Sequence, residues 1–120
     1  MTILTPVAIL KHVLDERLDL IFLALADVSR RTLIERLVAG PASVSTLAAP
    51  LDMSLSAVLQ HVRVLESCGL ISSEKVGRVR TCQIESEGLR QAEQWLKLQR
   101  TQWEVLLERL DDYLDDGERR

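Results

Sequence analysis

Apolar residues recur every three to four positions through most of the chain, a spacing that predicts α-helices. The first predicted helix covers residues 14–26, and residues 6–13 either continue it or form a separate turn. A second helix is predicted from Val28 to about Ala39, because Asp27 is a good N-cap and Gly40-Pro41 stops the pattern. The apolar face of the first helix consists of Leu14, Leu18, Ile21, Phe22 and Leu25.

Two shorter helices separated by a tight turn are predicted next. The first covers 46–51 with Ser45 as its cap, and Asp52-Met53 forms the turn. The second begins after its cap Ser54 and ends near Cys68, where a glycine follows. Its buried face is predicted to be Val58, Val62 and Leu65.

Residues 70–84 change to a strand pattern, in which two short β-branched runs flank a predicted hairpin turn at Val76-Gly77. The helical pattern returns from residue 86 to about 115. A helix of this length is about 45 Å long, which is more than so small a domain covers by itself. Its apolar residues recur at near-heptad spacing: Leu89, Ala92, Leu96, Trp103, Leu106, Leu110 and Leu114.

This order of elements predicts a mainly α fold with a small β-hairpin, a winged helix-turn-helix with flanking dimerisation helices. We expect a single domain over residues 1–120, with a winged-helix core at about 14–85 and a C-terminal dimerisation helix at about 86–115. A 120-residue chain that is 47% hydrophobic completes its apolar burial well by forming a homodimer. The predicted interface residues are Leu18, Phe22, Leu96, Trp103, Leu106, Leu110 and Leu114.

The absence of a recognisable signal peptide or membrane-spanning run favours a cytoplasmic protein without a membrane partner. Residues 1–10 lack the basic start and the small-residue cleavage site of a signal peptide, and the apolar run 18–26 is too short to cross a bilayer. The two cysteines, Cys68 and Cys82, are too few for a disulfide framework.

The net charge of −3 conceals an uneven distribution of charge. Residues 54–82 carry four basic and two acidic side chains, whereas residues 83–120 carry six basic and ten acidic ones. The middle of the chain is therefore net positive and the tail net negative. Binding to nucleic acid needs a basic patch and not a basic protein, so the acidic total does not exclude it.

Several segments carry a family resemblance. Residues 23–31 (LALADVSRR) and the following Ile34-Glu35-Arg36-Leu37 resemble the F-x-A-L-A-D-P-T-R-R opening of ArsR/SmtB-type regulators. Residues 45–48 and 51–65 are similar to the helix-turn-helix of that family, and residues 68–71 and 77–80 to its helix end and wing. The match covers roughly residues 18–84 in order. The resemblance implies a dimeric DNA-binding transcriptional regulator, usually a repressor.

The chain departs from that family at two places. Asp52 stands where members usually have glycine in the turn, and aspartate tolerates the left-handed backbone region better than most residues. Metal-sensing members carry Cys-x-Cys on the third helix, where this chain has Ala48 and Pro50, or ligands along the last helix, where this chain has no histidine. We therefore expect no metal and no cofactor.

The fourth predicted helix is the candidate reading element. The face opposite its buried residues carries Ser56, Leu59, Gln60 and Arg63, and Ser54 and His61 lie beside it. Residues near the start of a helix in the major groove reach base edges, and glutamine can pair bidentately with adenine. The alternative for this face is an ordinary solvated surface. His61 is expected to be a satisfied half-buried histidine, with a phosphate contact as its alternative.

Basic residues outside that helix are candidate anchors to DNA. Arg78 and Arg80 are predicted to share a strand face with Cys82, and Lys75 lies on the other strand, an arrangement typical of a wing that reaches a minor groove or phosphates. A solubilising charged hairpin is the alternative. Arg30 and Arg31 occupy the first turn of the second helix, where cations oppose the helix dipole, so each needs a phosphate or an internal carboxylate as partner.

Together these features predict a sequence-specific regulator of transcription that binds double-stranded DNA as a homodimer, represses, and does not respond to metal. The sequence does not identify a small-molecule effector. The sequence contains no phosphate-binding loop or nucleophile-base set, so we expect no enzyme. Two alternatives remain open: a winged-helix protein-interaction module without DNA binding, and a thiol-redox-responsive repressor using Cys68 and Cys82.

Overall fold

A computed structural model describes residues 5–118 of the chain. The elements in chain order are helix α1 (Pro6–Leu25), helix α2 (Val28–Val38), strand β1 (Ala42–Ser43), helix α3 (Val44–Ala48), helix α4 (Leu55–Ser67), strand β2 (Ile71–Val76), strand β3 (Val79–Ile84) and helix α5 (Ser86–Glu118). The mainly helical fold with a small antiparallel sheet confirms the predicted fold class.

Side-chain caps explain where the helices begin. Thr5 Oγ1 accepts from the N–H of Ala8, and Pro6 occupies the first turn, so residues 6–13 continue α1 and do not form a separate turn. The caps predicted at Asp27 and Ser54 are confirmed, because each side chain accepts a backbone N–H three residues on.

The third helix was predicted two residues too late. Ser43 caps it, its Oγ accepting from the N–H of Thr46 at 3.1 Å, so the helix is Val44–Ala48 and not 46–51 with Ser45 as cap. Pro50 lacks the N–H that would continue the helical ladder. The turn that follows needs no left-handed residue at Asp52, since only glycines have a positive φ among residues 5–118.

The sheet has three strands in the order β1-β3-β2, all antiparallel, where the sequence predicted only a hairpin. Ala42 and Ser43 of β1 pair with Cys82 and Thr81 of β3. The hairpin loop is Gly77-Arg78 and not Val76-Gly77, because Val76 pairs directly with Val79. Gly77 has a φ of 64°, which suits the first position of a two-residue turn.

The hydrophobic core is centred on α4, whose predicted buried face is confirmed. Val58, Val62 and Leu65 have no exposed surface. They pack with core residues from every other helix and from the sheet: Ile21, Ala24, Leu33, Leu37, Leu47, Ile71, Cys82 and Ala92. The core therefore holds α4 by one side and leaves its opposite side free.

Helices α1 and α5 contribute only Ile21, Ala24 and Ala92 to the buried core, and the rest of their apolar residues expose a large area. The predicted interface residues Phe22, Leu96, Trp103, Leu106, Leu110 and Leu114 are all exposed, and Leu18 is half-buried. Between the two helices an open apolar cavity of about 650 Å³ is lined by residues that include Phe22, Leu25, Leu89 and Leu96. The radius of gyration is 20.6 Å, against about 14 Å for a compact chain of this length. Within residues 5–118, no helix combines the length and the apolar character needed to cross a membrane.

Candidate nucleic-acid interface

The exposed face of α4 carries most of the predicted reading residues. Ser56, Gln60 and Arg63 are exposed, and each lies roughly opposite the buried positions of the same helix. Leu59 is half-buried at the edge of this face. The face contains donors, an amide and one cation, which are groups that hydrogen-bond to base edges and phosphates.

The start of α4 is open to a ligand. Ser54 is exposed and its Oγ accepts the N–H of Ala57 at 3.1 Å, so the hydroxyl fixes the first turn of the helix. A cleft of about 390 Å³ separates this end of α4 from the wing, which is the hairpin of β2 and β3. The cleft is lined by Leu55 and Leu59, by the start of α3, and by Lys75, Arg78, Val79 and Arg80. The wing cations and α4 thus face a common space.

The wing presents its cations in two different ways. Lys75 and Arg78 are exposed, and neither pairs with a carboxylate within the described range 5–118. Arg78 occupies the hairpin loop, so it does not share a strand with Cys82 as predicted. Arg80 does share a face of β3 with Cys82, as predicted. It is half-buried on this face, which is directed toward the core.

A hydrogen-bonded chain holds Arg80 in place. Its Nη1 donates to Oγ of Ser73 at 2.8 Å, and the Ser73 hydroxyl donates to the carboxylate of Glu66 in the last turns of α4. These hydrogen bonds link the wing to α4 through one side chain of β2. Sequence reasoning missed them, because these residues match no motif and their contact depends on the register of the hairpin and on how α4 packs against it.

Arg30 and Arg31 have backbone partners that the sequence did not indicate. Arg30 donates from Nε to the carbonyl oxygen of Ala24 at 2.8 Å and from Nη2 to that of Leu23 at 3.0 Å. Arg31 Nη1 donates to the carbonyl oxygen of Leu25 at 2.7 Å. Both guanidinium groups therefore bond carbonyls in the last turn of α1, where most helical carbonyls lack a backbone partner.

His61 is half-buried beside the core stripe, as predicted, and its ring Nδ1 lies 3.3 Å from Nη1 of Arg30. A guanidinium only donates hydrogen bonds, so Nδ1 is the acceptor and carries no proton in this contact.

The cysteines lie in apolar surroundings and both are free. Burial raises the pKa of the Cys68 thiol, and burial together with the nearby Glu66 carboxylate raises the pKa of the Cys82 thiol. A raised pKa reduces the thiolate fraction that reacts with oxidants and metals. Over residues 5–118, no three His, Cys, Asp or Glu side chains lie together as a metal site would require.

The chain is similar to known transcriptional regulators in sequence and in structure. A family model described as a helix-turn-helix domain matches residues 25–74. The HTH-type transcriptional regulator Rv2034 of Mycobacterium tuberculosis is 42% identical over 66 residues, which span 55% of this chain and 62% of that protein's length. The crystal structure of the ArsR family transcriptional regulator RHA00566 is 49% identical, with a TM-score of 0.72, over 75% of this chain and 93% of that one.

This chain belongs to the ArsR family of transcriptional regulators. The segments that resemble the family run from the end of α1 through α2, α3 and α4 to the wing, so the ArsR assignment and the fold agree element by element. The solution structure of Mb0332 from Mycobacterium bovis, described as a homodimeric winged helix-turn-helix DNA-binding domain, has a TM-score of 0.62 over 88% of this chain and 94% of that one. At 23% identity this likeness concerns the fold alone.

Proposed function

We propose that this ArsR-family protein is a cytoplasmic homodimeric repressor that binds double-stranded DNA sequence-specifically and does not respond to metal. The observation that carries the proposal is the outward face of α4, where Ser56, Gln60 and Arg63 stand beside a cleft lined by wing cations. An α-helix of this exposure fits the major groove, and a basic hairpin beside it fits the adjoining backbone.

The interface divides into reading and anchoring residues. Gln60 and Ser56 lie in the first two turns of α4, where side chains reach base edges, and Ser54 and Leu59 complete that end. Lys75, Arg78 and Arg80 of the wing and Arg63 of α4 supply positive charge for phosphates. The Ser73 hydroxyl orients the Arg80 side chain, so this cation of the wing is held in place.

The homodimer is proposed from the exposed faces of α1 and α5. Trp103 is 63% exposed and Leu106 is 57% exposed, although both belong to a near-heptad apolar stripe. The same stripe of a second protomer would bury these residues, since a two-fold interface is complementary to itself. The homodimer described for Mb0332 supports this assignment by analogy of fold.

Insensitivity to metal is proposed from the residues at the family's usual ligand positions. Ala48 is half-buried in α3 and Pro50 follows that helix, and neither side chain ligates metal. We expect DNA affinity to be the same with and without zinc, cadmium, nickel or arsenite. Loss of DNA binding when a metal binds stoichiometrically to the protein would contradict this part of the proposal. It would point to Cys68 and Cys82 as ligands.

Selection of bound sites from a random duplex pool tests the proposed function. The expected product is an inverted repeat whose half-site centres lie about 10 bp apart or at a multiple of that distance, because the protein dimer imposes its two-fold symmetry on the site. Selection should yield the same repeat with and without reducing agent. Failure to enrich any sequence over the starting pool would leave a protein-interaction module as the better account.

A further inference from the structure

Arg30 occupies a junction between three helices. It lies in the first turn of α2, where its backbone N–H is bonded to the Asp27 side chain at 3.1 Å. Its side chain reaches back to the end of α1 and across to α4. The guanidinium carries five N–H donors in a fixed plane, so it is able to hold acceptors on several elements at once.

The two ends of this junction have different tasks in the proposed function. The acceptors on α1, the carbonyl oxygens of Leu23 and Ala24, belong to a helix whose exposed face is assigned to the dimer interface. The acceptor on α4 is Nδ1 of His61, and this residue directly follows the reading residue Gln60. One side chain therefore links the helix that meets the partner to the helix that meets DNA.

We propose that Arg30 is a positioning residue that sets the direction of α4 relative to the dimer axis, acting through His61, and that it does not anchor a phosphate. The inference rests on the proposed function. In a two-fold dimer the angle of each reading helix to α1 fixes the distance between the two reading helices. The Arg30–His61 contact therefore contributes to the choice of half-site spacing.

Arg31 provides the matched control. It is the next residue in the chain, it carries the same charge, and it also donates to a carbonyl oxygen of α1, that of Leu25, at 2.7 Å. Its described hydrogen bonds do not reach α4. Loss of Arg31 thus removes the same charge and a similar bond to α1 while leaving the link to His61 intact.

The test measures affinity for the selected inverted repeat and for repeats with one base pair inserted or removed between the half-sites. Variants R30A, R30K, H61A and R31A are compared at several salt concentrations, and circular dichroism and light scattering confirm a folded dimer. For R30A we expect discrimination between spacings to fall by about tenfold, the effect of losing a hydrogen bond to a charged group. The slope of log affinity against log salt should stay at the wild-type value.

The other variants separate positioning from simple stabilisation. H61A should lose spacing discrimination to the same extent, and R30A combined with H61A should lose no more than either alone, because both remove one link. R30K should not restore it, since a lysine ammonium has all its donors on one nitrogen, whereas Arg30 donates from Nε, Nη1 and Nη2 to acceptors on two helices. R31A should keep wild-type discrimination. If R30A does not fold, H61A carries the test, because it leaves the bonds from Arg30 to α1 in place.

Three results would overturn the inference: unchanged discrimination in R30A or H61A, an equal loss in R31A, or a salt slope reduced by about one per lost phosphate contact. If the wild-type protein binds no duplex, the proposed function fails instead.

Discussion

The ring of Phe22 meets the ring of Trp95 edge to face, with centroids 5.7 Å apart and planes inclined at 69°. This contact joins α1 to α5 in the part of α5 that lies against the winged-helix core. Beyond it, α5 continues to Glu118 with its apolar side chains exposed. The aromatic pair therefore holds the base of a surface that a second protomer is proposed to cover.

Charging that surface should separate the protomers. Leu106 is 57% exposed and lies in the middle of the projecting stripe, and Leu106→Asp would bury an unpaired carboxylate in the proposed seam. We expect light scattering to report monomers or aggregates. Glu108→Lys is the control, because position 108 lies about 200° around the helix from 106. A wild-type protein that is a well-folded monomer at micromolar concentration would contradict the dimer.

Close packing at the start of α5 should make Gly88 hard to replace. A Cβ there would lie 2.6 Å from the carbonyl oxygen of Cys68 and 2.8 Å from the backbone of Gly69, and these are atoms that cannot rotate away. The N–H of Gly88 also donates to the carbonyl oxygen of Gly69 at 2.9 Å. We expect Gly88→Ala to lower the free energy of unfolding by about 1–3 kcal/mol in urea titration, as overpacking does.

Gly117 is the matched control for that substitution. It belongs to the same helix and nothing lies within 4 Å of its added Cβ. Gly117→Ala should leave the free energy of unfolding unchanged or raise it by up to about 1 kcal/mol, because alanine favours helix. Both variants must be compared at equal protomer concentration. Equal stability of the two variants would show that the contact of α5 with the end of α4 is not tight.

The Asp27 cap of α2 should make the stability of the fold decrease at low pH. The hydrogen bond from the backbone N–H of Arg30 holds the pKa of Asp27 below its ordinary value of 3.8, with help from the charge of the Arg30 side chain. A lowered folded-state pKa stabilises the fold above pH 3.8, and this stabilisation is lost as the pH falls through the folded value. As the pH falls, the melting temperature of the wild type should therefore drop relative to that of Asp27→Asn, because asparagine caps the helix without titrating. A constant difference between neutral pH and pH 2 would contradict this.

The thiols should be poor redox sensors. Since burial raises the pKa of both Cys68 and Cys82, both are protonated at neutral pH. Alkylation of the folded protein by iodoacetamide should be much slower than alkylation in denaturant, with Cys82 the slower of the two because it is fully buried. DNA affinity should be insensitive to brief peroxide treatment. Reaction of folded Cys82 as fast as in denaturant would support the redox-responsive alternative.

Most of the fold was predictable because its signals are local. The caps at Asp27 and Ser54 and the buried triplet of α4 follow from residue type and spacing within one helix. Strand β1 was not predictable in the same way. Ala42 and Ser43 carry no strand pattern, and their partners Cys82 and Thr81 lie about forty positions along the chain. The early start of α3 was missed for the same reason, since its cap Ser43 is also a strand residue.

In the candidate site, too, local features were predictable from the sequence and tertiary contacts were not. The exposure of Ser56, Gln60 and Arg63 follows from helical periodicity, so the sequence predicted it. The bonds of Arg30 to α1 and to His61, and of Arg80 to Ser73, are tertiary contacts of side chains long enough to have many possible partners. A charged residue can be located from the sequence, but its partner depends on how the helices pack.

The division between reading and anchoring residues can be tested with one variant of each kind. Gln60→Ala should flatten the preference at one base pair in each half-site, at a cost of about 1–3 kcal/mol in discrimination, because it would remove the proposed bidentate contact to a base edge. Its affinity for random duplex should be nearly that of the wild type. A uniform loss on all sequences would instead mark Gln60 as a backbone contact.

The most direct test of DNA binding is the salt dependence of affinity for random duplex, measured for the wild type and Arg78→Ala. Arg78 is exposed in the wing loop and has no carboxylate partner within residues 5–118, so its loss should leave the fold intact. We expect binding that weakens steeply with salt, and a slope smaller by about one per lost phosphate contact, or about two per dimer, in Arg78→Ala. Wild-type protein that shows no salt-sensitive binding to any duplex pool, with Arg78→Ala indistinguishable from it, would contradict the account.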